Sequence, residues 1–348
     1  MADRQASFAR AREESQIGGN AQYTAESLIG TGSFGAVYRG TVRKTGQEVA
    51  IKRITVEKRS KNRELTILRT ISHPNIVSLL DAFYSKGLRE EEIRLNLVLE
   101  YLPETLERLA VHYSRKNQPF PLLYTKLYCY QLFRGLGYLH INGLCHRDIK
   151  PANILVDTRS HRVVLADLGS AKHISPEETS AAYVGARYYR APELLFGASK
   201  YSEAVDLWSA GCVLAELLLG RPLFQGQTAL EQLVEVLKVL GTPNKTQVTA
   251  MNPAQGEFRF PALPKKPWNI VLRPDTPVEA ADLLDKLLLY VPGDRLTAYQ
   301  VLRHAFFDEL RVPTTHLPSG RELPRLFDWS EQEMEGMPVD LLRDLTPD

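Results

Sequence analysis

Sulfur chemistry, a strong net charge and a membrane-length apolar run are all missing from this sequence. The three cysteines, Cys129, Cys145 and Cys212, are far apart and form no C-x-x-C pair. That spacing argues against a disulfide framework or a zinc site and suits a reducing compartment. Lys plus Arg number 43 against 41 Asp plus Glu, so no global basic field exists to hold nucleic acid or an anionic membrane. The longest greasy run, WSAGCVLAELLLG at 208–220, is too short to span a bilayer and contains Glu216. The first fifteen residues, MADRQASFARAREES, hold no apolar core of the kind a secretory leader carries. A soluble protein of the cytoplasm, and also of the nucleus, is the expectation. The sequon at Asn244-Lys245-Thr246 then reads as an accident of composition.

What is present is ample apolar material, 44% of 348 residues, enough for two domains. Residues 1–20 are polar and read as a flexible tail. From Tyr23 to about residue 55 the pattern is one of strands: YTAESLIG, GAVYRGTV, a Lys-Thr-Gly turn, then EVAIKRI. NRELTILRTI puts Leu65, Leu68 and Ile71 on one helical stripe, and HPNIVSLLDAFY and IRLNLVLEY read as strands. Thereafter helical periodicity dominates, as in YTKLYCYQLFRGLGYLH and VDLWSAGCVLAELLLG, broken by a proline-rich, irregular stretch at 253–277. The expected organisation is α+β: a tail over 1–20, a small β-rich lobe with one helix over 21–102, a larger helical lobe over 103–308 with an insert at about 222–277, and a tail over 309–348.

GTGSFGAV supplies G-x-G-x-x-G at Gly30, Gly32 and Gly35, a spacing that dinucleotide folds share. Here the glycines lie between two strands with no helix following, and a strand lysine, Lys52, comes seventeen residues after Gly35. That arrangement fits a hairpin lid whose amides approach phosphates and a lysine that holds them. Lys52 needs a carboxylate partner, and Glu64 on the next helix is the candidate. Further on, HRDIKPANIL and LADLGSAK supply a carboxylate for an acceptor hydroxyl, Asp148, with Lys150 beside the transferred phosphate. Asn153 and Asp167 are oxygen ligands for Mg²⁺.

In this ordered set, and in APE at 191–193, the chain resembles a eukaryotic protein kinase over residues 23–308. The resemblance implies transfer of the ATP γ-phosphate with Mg²⁺. It implies an adenine site of Ile29, Val37, Ala50 and Leu155, with Leu99 as gatekeeper and Glu100 and Leu102 as hinge. It also implies a buried Asp206 under the catalytic loop and a Glu193–Arg295 pair. RYYRAPE and the insert are similar to the group of cyclin-dependent, mitogen-activated and glycogen synthase kinases. NRELTIL, LNLVLEYLPETL, HYSRKNQ, GSAK, RYYRAPELLFGA, QLVEVLKVLGTP and FFDEL resemble the glycogen synthase kinase 3 family.

That resemblance implies a serine/threonine kinase that prefers substrates already phosphorylated, by another kinase, four positions C-terminal to the target. The priming phosphate would meet Arg63, Arg147 and Lys172, three cations without a fixed acidic partner; the alternative is that Arg63 and Lys172 are solvated surface charges. It further implies autophosphorylation at Tyr183, with Arg187 as the charge partner, and an inhibitory phosphorylation at Ser7 within RQASFA. ALEQLVEVLKVLG puts Leu230, Leu233, Val234 and Leu237 on one face, mostly core, and the resemblance implies a groove near 225–260 for a scaffold partner's helix. A monomer or weak dimer with no nucleic-acid partner completes the expectation. Two departures stand out: Leu168 replaces the usual phenylalanine after Asp167, and Ala186 stands where relatives carry a hydroxyl. They leave open a weakly active kinase or pseudokinase acting as an ATP-binding scaffold.

Overall fold

The computed structural model describes residues 22–32, 35–56, 62–87, 92–175, 178–181, 183–254 and 261–345. Ser7 and residues 57–61 of the basic loop therefore lie outside the described residues. The chain divides into two compact units, Met1–Leu102 and Pro103–Asp348.

The first unit is built on one antiparallel sheet of β1 (Tyr23–Gly32), β2 (Gly35–Val42), β3 (Glu48–Val56), β4 (Leu79–Lys86) and β5 (Ile93–Glu100), in the order β1-β2-β3-β5-β4. Alternation along β3 and β5 gives the sheet two occupied faces. On one, Val49, Ile51 and Val98 form a buried cluster covered by Tyr23, Val42 and Phe83. On the other lie Ala50, Lys52, Leu97 and Leu99, which are also buried. Gly35 is required where it stands: at φ +150° a Cβ there would sit 1.9 Å from the carbonyl oxygen of Arg53. The single helix described in this unit, α1 (Arg63–Leu68), starts because the Asn62 side chain caps the Leu65 amide at 2.9 Å. It buries Glu64, Leu65, Ile67 and Leu68 and ends at Arg69, so Ile71 lies beyond it rather than on its stripe. The strand expected from HPNIVSLLDAFY begins only at Leu79, because His73 folds back to cap the Asn75 amide and Ile76 N–H bonds to the His73 carbonyl.

The second unit is mainly helical. Its long helices are α3 (Leu122–Ile141), packed against α5 (Ala204–Leu219), while α2 (Leu106–Arg115) packs on residues 151–153. Both α3 and α5 are apolar around most of their circumference, which is why they form the buried centre. Two small sheets hold the loops that matter below: β6 (Glu104–Thr105), β8 (Ile154–Asp157) and β9 (Arg162–Leu165) form one, and β7 (Leu144–Cys145) with β10 (Lys172–His173) the other. Beyond these come α4 (Pro192–Leu195), α6 (Ala229–Leu240), α7 (Lys245–Met251), α8 (Trp268–Val271), α9 (Val278–Leu287) and α10 (Ala298–Leu302). Asn244 of the sequon is the N-cap of α7 in a reciprocal capping box with Gln247.

The tail carries α11 (Glu331–Gly336) and α12 (Val339–Leu345). Its anchor is Arg134 of α3, 1% exposed, which donates to both carboxylate oxygens of Glu333, at 2.9 and 3.0 Å, and to Asp328 at 2.6 Å. The α6 expectation needs correction. The buried stripe is Leu233, Val236, Leu237 and Leu240, whereas Leu230 is 65% and Val234 36% exposed. Stepping by three and four from Leu233 turns the core stripe away from Leu230 and Val234, which belong to the outer face.

Candidate active site

In the first unit, Lys52 and Glu64 meet. Cross-strand pairing aligns Lys52 with Val37 on β2 and Leu97 on β5, and Ala50 with Leu99, so these side chains share a face. From that face the Lys52 ammonium reaches both oxygens of Glu64 at 2.7 Å, and the two side chains are 9% and 4% exposed. A buried pair with two contacts fixes the ammonium in position; removing either member would leave an uncompensated charge. Gly30 and Gly32 lie on β1 opposite Val37 and Gly35, and Ile29 is about half exposed on the same strand. Glu100 is held at the end of β5: its amide donates to the Ser78 carbonyl at 3.1 Å and its carboxylate accepts from Ser78 N–H at 2.9 Å. Leu102 is buried at the end of this unit.

In the second unit the loop from His146 to Asn153 is pinned from beneath by Asp206. This fully buried carboxylate accepts from the amides of His146 and Arg147, at 2.7 and 2.8 Å, and from the His140 ring at 3.0 Å. Burial alone would raise the Asp206 carboxyl. The His140 hydrogen bond, the charges of His140 and His146 and the Arg147 amide outweigh that and hold it below the usual carboxylate range. The segment carrying Asp167 is tied to the same loop. Ala166 N–H donates to the Asn153 carbonyl at 2.9 Å, the His146 ring bonds the Ala166 carbonyl at 3.1 Å, and Arg147 donates to the Ser170 carbonyl at 2.7 Å. Arg147 (φ 67°) and Asp167 (φ 60°) both adopt the left-handed region. Each such conformation in a non-glycine residue costs about 1–3 kcal/mol and persists only where its surroundings enforce it. Leu168, beside Asp167, is fully buried, so the apolar plug is retained without its ring.

Asp148 is the most constrained carboxylate in this loop. One oxygen accepts from Lys150 at 2.7 Å and from Asn153 Nδ2 at 2.9 Å; the other accepts from the backbone amide of Ala186 at 3.0 Å. Ala186 therefore touches Asp148 through its backbone, although its side chain offers no hydroxyl. Gly185 makes this approach possible, since a Cβ there would come within 2.6 Å of the Arg147 carbonyl. Asn153 turns its NH₂ to Asp148, which leaves its amide oxygen as the atom available to a hard cation, the donor type Mg²⁺ takes from a protein alongside phosphates and water. A fixed carboxylate, a neighbouring ammonium and two oxygen donors at the ends of the loop can orient a hydroxyl, take its proton and hold a cation. Leu155, the expected adenine floor, is half-buried on β8, paired with Thr105 and Val164.

The expected phosphate-binding cations divide between the units. Arg63 is exposed at the start of α1 in the first. In the second, Lys172 pairs across β10 and β7 with Cys145, two residues before Arg147. The expectation that these cations lack an acidic partner fails for Lys172, which bonds Glu178 at 2.6 Å and the Ser180 hydroxyl at 3.1 Å. Arg147 is occupied by neutral oxygens, the Ser170 carbonyl and the Tyr201 hydroxyl at 3.1 Å. Glu178 lies six residues along a turn from Lys172, and no periodicity in the sequence signals that return.

Tyr183 is 71% exposed. The Arg190 guanidinium lies 4.1 Å from its ring centroid, and the nearby Arg187 and Arg190 pull its hydroxyl below the ordinary phenol range. Arg190 was missed in the sequence, although the R-x-x-R spacing of RYYR carries both arginines. Further along, Glu193 accepts two hydrogen bonds from the buried Arg295, at 2.7 Å each.

Among the described residues no helix is long and apolar enough to cross a membrane. A family model described as the protein kinase domain matches residues 23–307.

Proposed function

Because the chain belongs to the protein kinase family, whose members phosphorylate proteins with ATP and Mg²⁺, we propose that it is a serine/threonine kinase of the glycogen synthase kinase 3 type. The observation that carries the proposal is Asp148, a carboxylate held by Lys150, Asn153 and the Ala186 amide, which supports its reading as the base for an acceptor hydroxyl. On this reading Asp148 accepts the serine or threonine proton, and Lys150 offsets charge on the transferred phosphoryl group. Lys52, steadied by Glu64, holds the nucleotide phosphates. Asn153 and Asp167 hold Mg²⁺. Gly30, Gly32 and Gly35 offer backbone to the phosphates. Ile29, Val37, Ala50 and Leu155 contact adenine, with Leu99 as gatekeeper and Glu100 and Leu102 offering backbone groups. Phosphorylation at Tyr183 would find Arg187 and Arg190 already in place, a basic pair suited to about −1.5 to −2 charge.

The substrate is one primed by another kinase: its phosphate would be received by Arg63, Arg147 and Lys172, displacing Glu178 from Lys172. Transfer from Mg²⁺-ATP to a phosphoserine-bearing peptide tests the whole assignment, with Asp148→Asn as the control. Turnover that is lost in the variant supports it. A nucleotide-induced thermal shift without turnover in the wild type would instead favour an ATP-binding scaffold. The feature that supports a scaffold role alongside catalysis is the exposed Leu230 and Val234 pair on α6, spaced to meet the apolar face of a partner's helix.

A further inference from the structure

Away from the loop that holds Asp148, the second unit contains a cavity of about 330 Å³ between α2, the start of α3, the turn after β8 and residues Ser319 and Arg321 of the tail. Its walls are aromatic. Tyr124 stacks on His161 at 4.8 Å between ring centroids and on Tyr128 at 5.8 Å, and Phe120 meets Tyr113 and Tyr128 edge-on at 5.1 and 6.1 Å. Flat rings of this kind offer stacking surface to another flat ring.

Two donors stand at the cavity beside the lining hydroxyls. His161 is 6% exposed and adopts φ 57°, an unusual conformation that the turn around it enforces. Its Nδ1 is bonded to the Tyr128 hydroxyl at 2.7 Å; among the described residues its Nε2 has no hydrogen-bond partner. Burial, with the nearby Arg321 charge, lowers the His161 pKa, so the ring is neutral at pH 7. A Tyr128 hydroxyl that donates to Nδ1 leaves Nε2–H as a donor. Arg321 touches only the Ser319 hydroxyl, at 3.2 Å, among the described residues and has no carboxylate partner there. Asp157, the acid whose charge acts on His161, is engaged by the Arg159 amide at 2.9 Å and the Ser160 hydroxyl at 2.7 Å.

We propose that this cavity is a binding site for a small planar aromatic carboxylate, its ring laid against Tyr124 and its anion received by Arg321 and His161. Neither feature belongs to the phosphoryl-transfer machinery, so a ligand here would bind independently of nucleotide. The volume admits one or two fused rings, and the pairing of an apolar cavity with convergent polar donors is that of an ordinary small-molecule site.

The probe is 2-naphthoate, titrated calorimetrically into the full chain with saturating non-hydrolysable ATP analogue, beside its neutral counterpart 2-naphthylmethanol. The expected result is saturable binding of naphthoate with a Kd of roughly 10–1000 µM. Arg321→Gln, an exposed change, weakens naphthoate about tenfold and leaves naphthylmethanol unchanged, as removal of a single charge-assisted contact requires. Tyr124→Leu weakens both. Absence of saturable binding up to about 5 mM overturns the proposal, as does loss of binding when the nucleotide analogue is present. Equal effects of Arg321→Gln on acid and alcohol would also overturn it.

Discussion

At the scale of single residues, the groups with the most consequence are those that constrain or compete for a charge. Asp148 is held by three donors; on the proposed reading it is the general base, a role worth typically 10²–10⁴-fold, so Asp148→Asn should cut kcat by that order while the melting temperature stays near that of the wild type. Ala186 makes a finer case. Its amide already serves Asp148, so Ala186→Ser adds at most one ordinary hydrogen bond and should raise kcat by no more than about tenfold in steady-state assays.

Glu216 offers a pH-dependent test. Buried on α5, it accepts the Tyr189 hydroxyl at 2.6 Å and, among the described residues, has no cationic partner. Burial raises its pKa from 4.5 to about 7, helped by the charge of Glu107 and opposed by the Tyr189 hydrogen bond. The folded-state pKa is the higher one, so the stabilisation is complete below the unfolded carboxyl's pKa and lost as pH rises through about 7. The loss is on the order of 3 kcal/mol for a shift of this size. Relative to the wild type, Glu216→Gln should therefore gain stability between pH 5 and pH 8 in thermal melts, with no such gain at pH 4.

At the scale of elements, the tail is the part whose role was least visible in the sequence. The sequence marks it only as a tail over 309–348, yet Arg134 is buried in α3 with Glu333 of α11 as its partner, 199 residues on. A lone arginine in an apolar helix gives no hint of which distant acid will meet it. Breaking a buried pair by removing one member costs about 3–5 kcal/mol. Glu333→Ala should lower the urea midpoint accordingly without changing the KM for ATP. Periodicity located α3 and α5 well because each is long and apolar, but it misassigned the face of α6, where a window of four residues fits two neighbouring stripes. The short helix α1 was read one turn too long for a similar reason: Ile71 continues the pattern after the backbone has left the helix.

At the scale of the whole molecule, the expected α+β architecture, a β-sheet unit followed by a helical one, is present, and the family model spans both units. The motifs were legible because phosphoryl transfer demands particular residue types at fixed spacing: Lys52 and Glu64 meet, and Asp148, Lys150 and Asn153 converge. Backbone donors such as the Ala186 amide, and returns such as Glu178 onto Lys172, were illegible because they depend on the path of a loop rather than on its composition.

That return also defines the sharpest question about substrate choice. If a priming phosphate is received by Arg63, Arg147 and Lys172, it must outcompete a single exposed carboxylate, which a doubly charged group can do. The most direct measurement is kcat/KM for one serine peptide made with and without a phosphate four residues C-terminal to the serine. Both forms should be run against the wild type and Arg63→Ala. The account predicts that the wild type favours the primed peptide by at least about tenfold, the worth of one charge-assisted contact, and that Arg63→Ala removes most of that preference while sparing the unprimed peptide. Equal kcat/KM for the two peptides in the wild type, or equal losses in the variant, would contradict it.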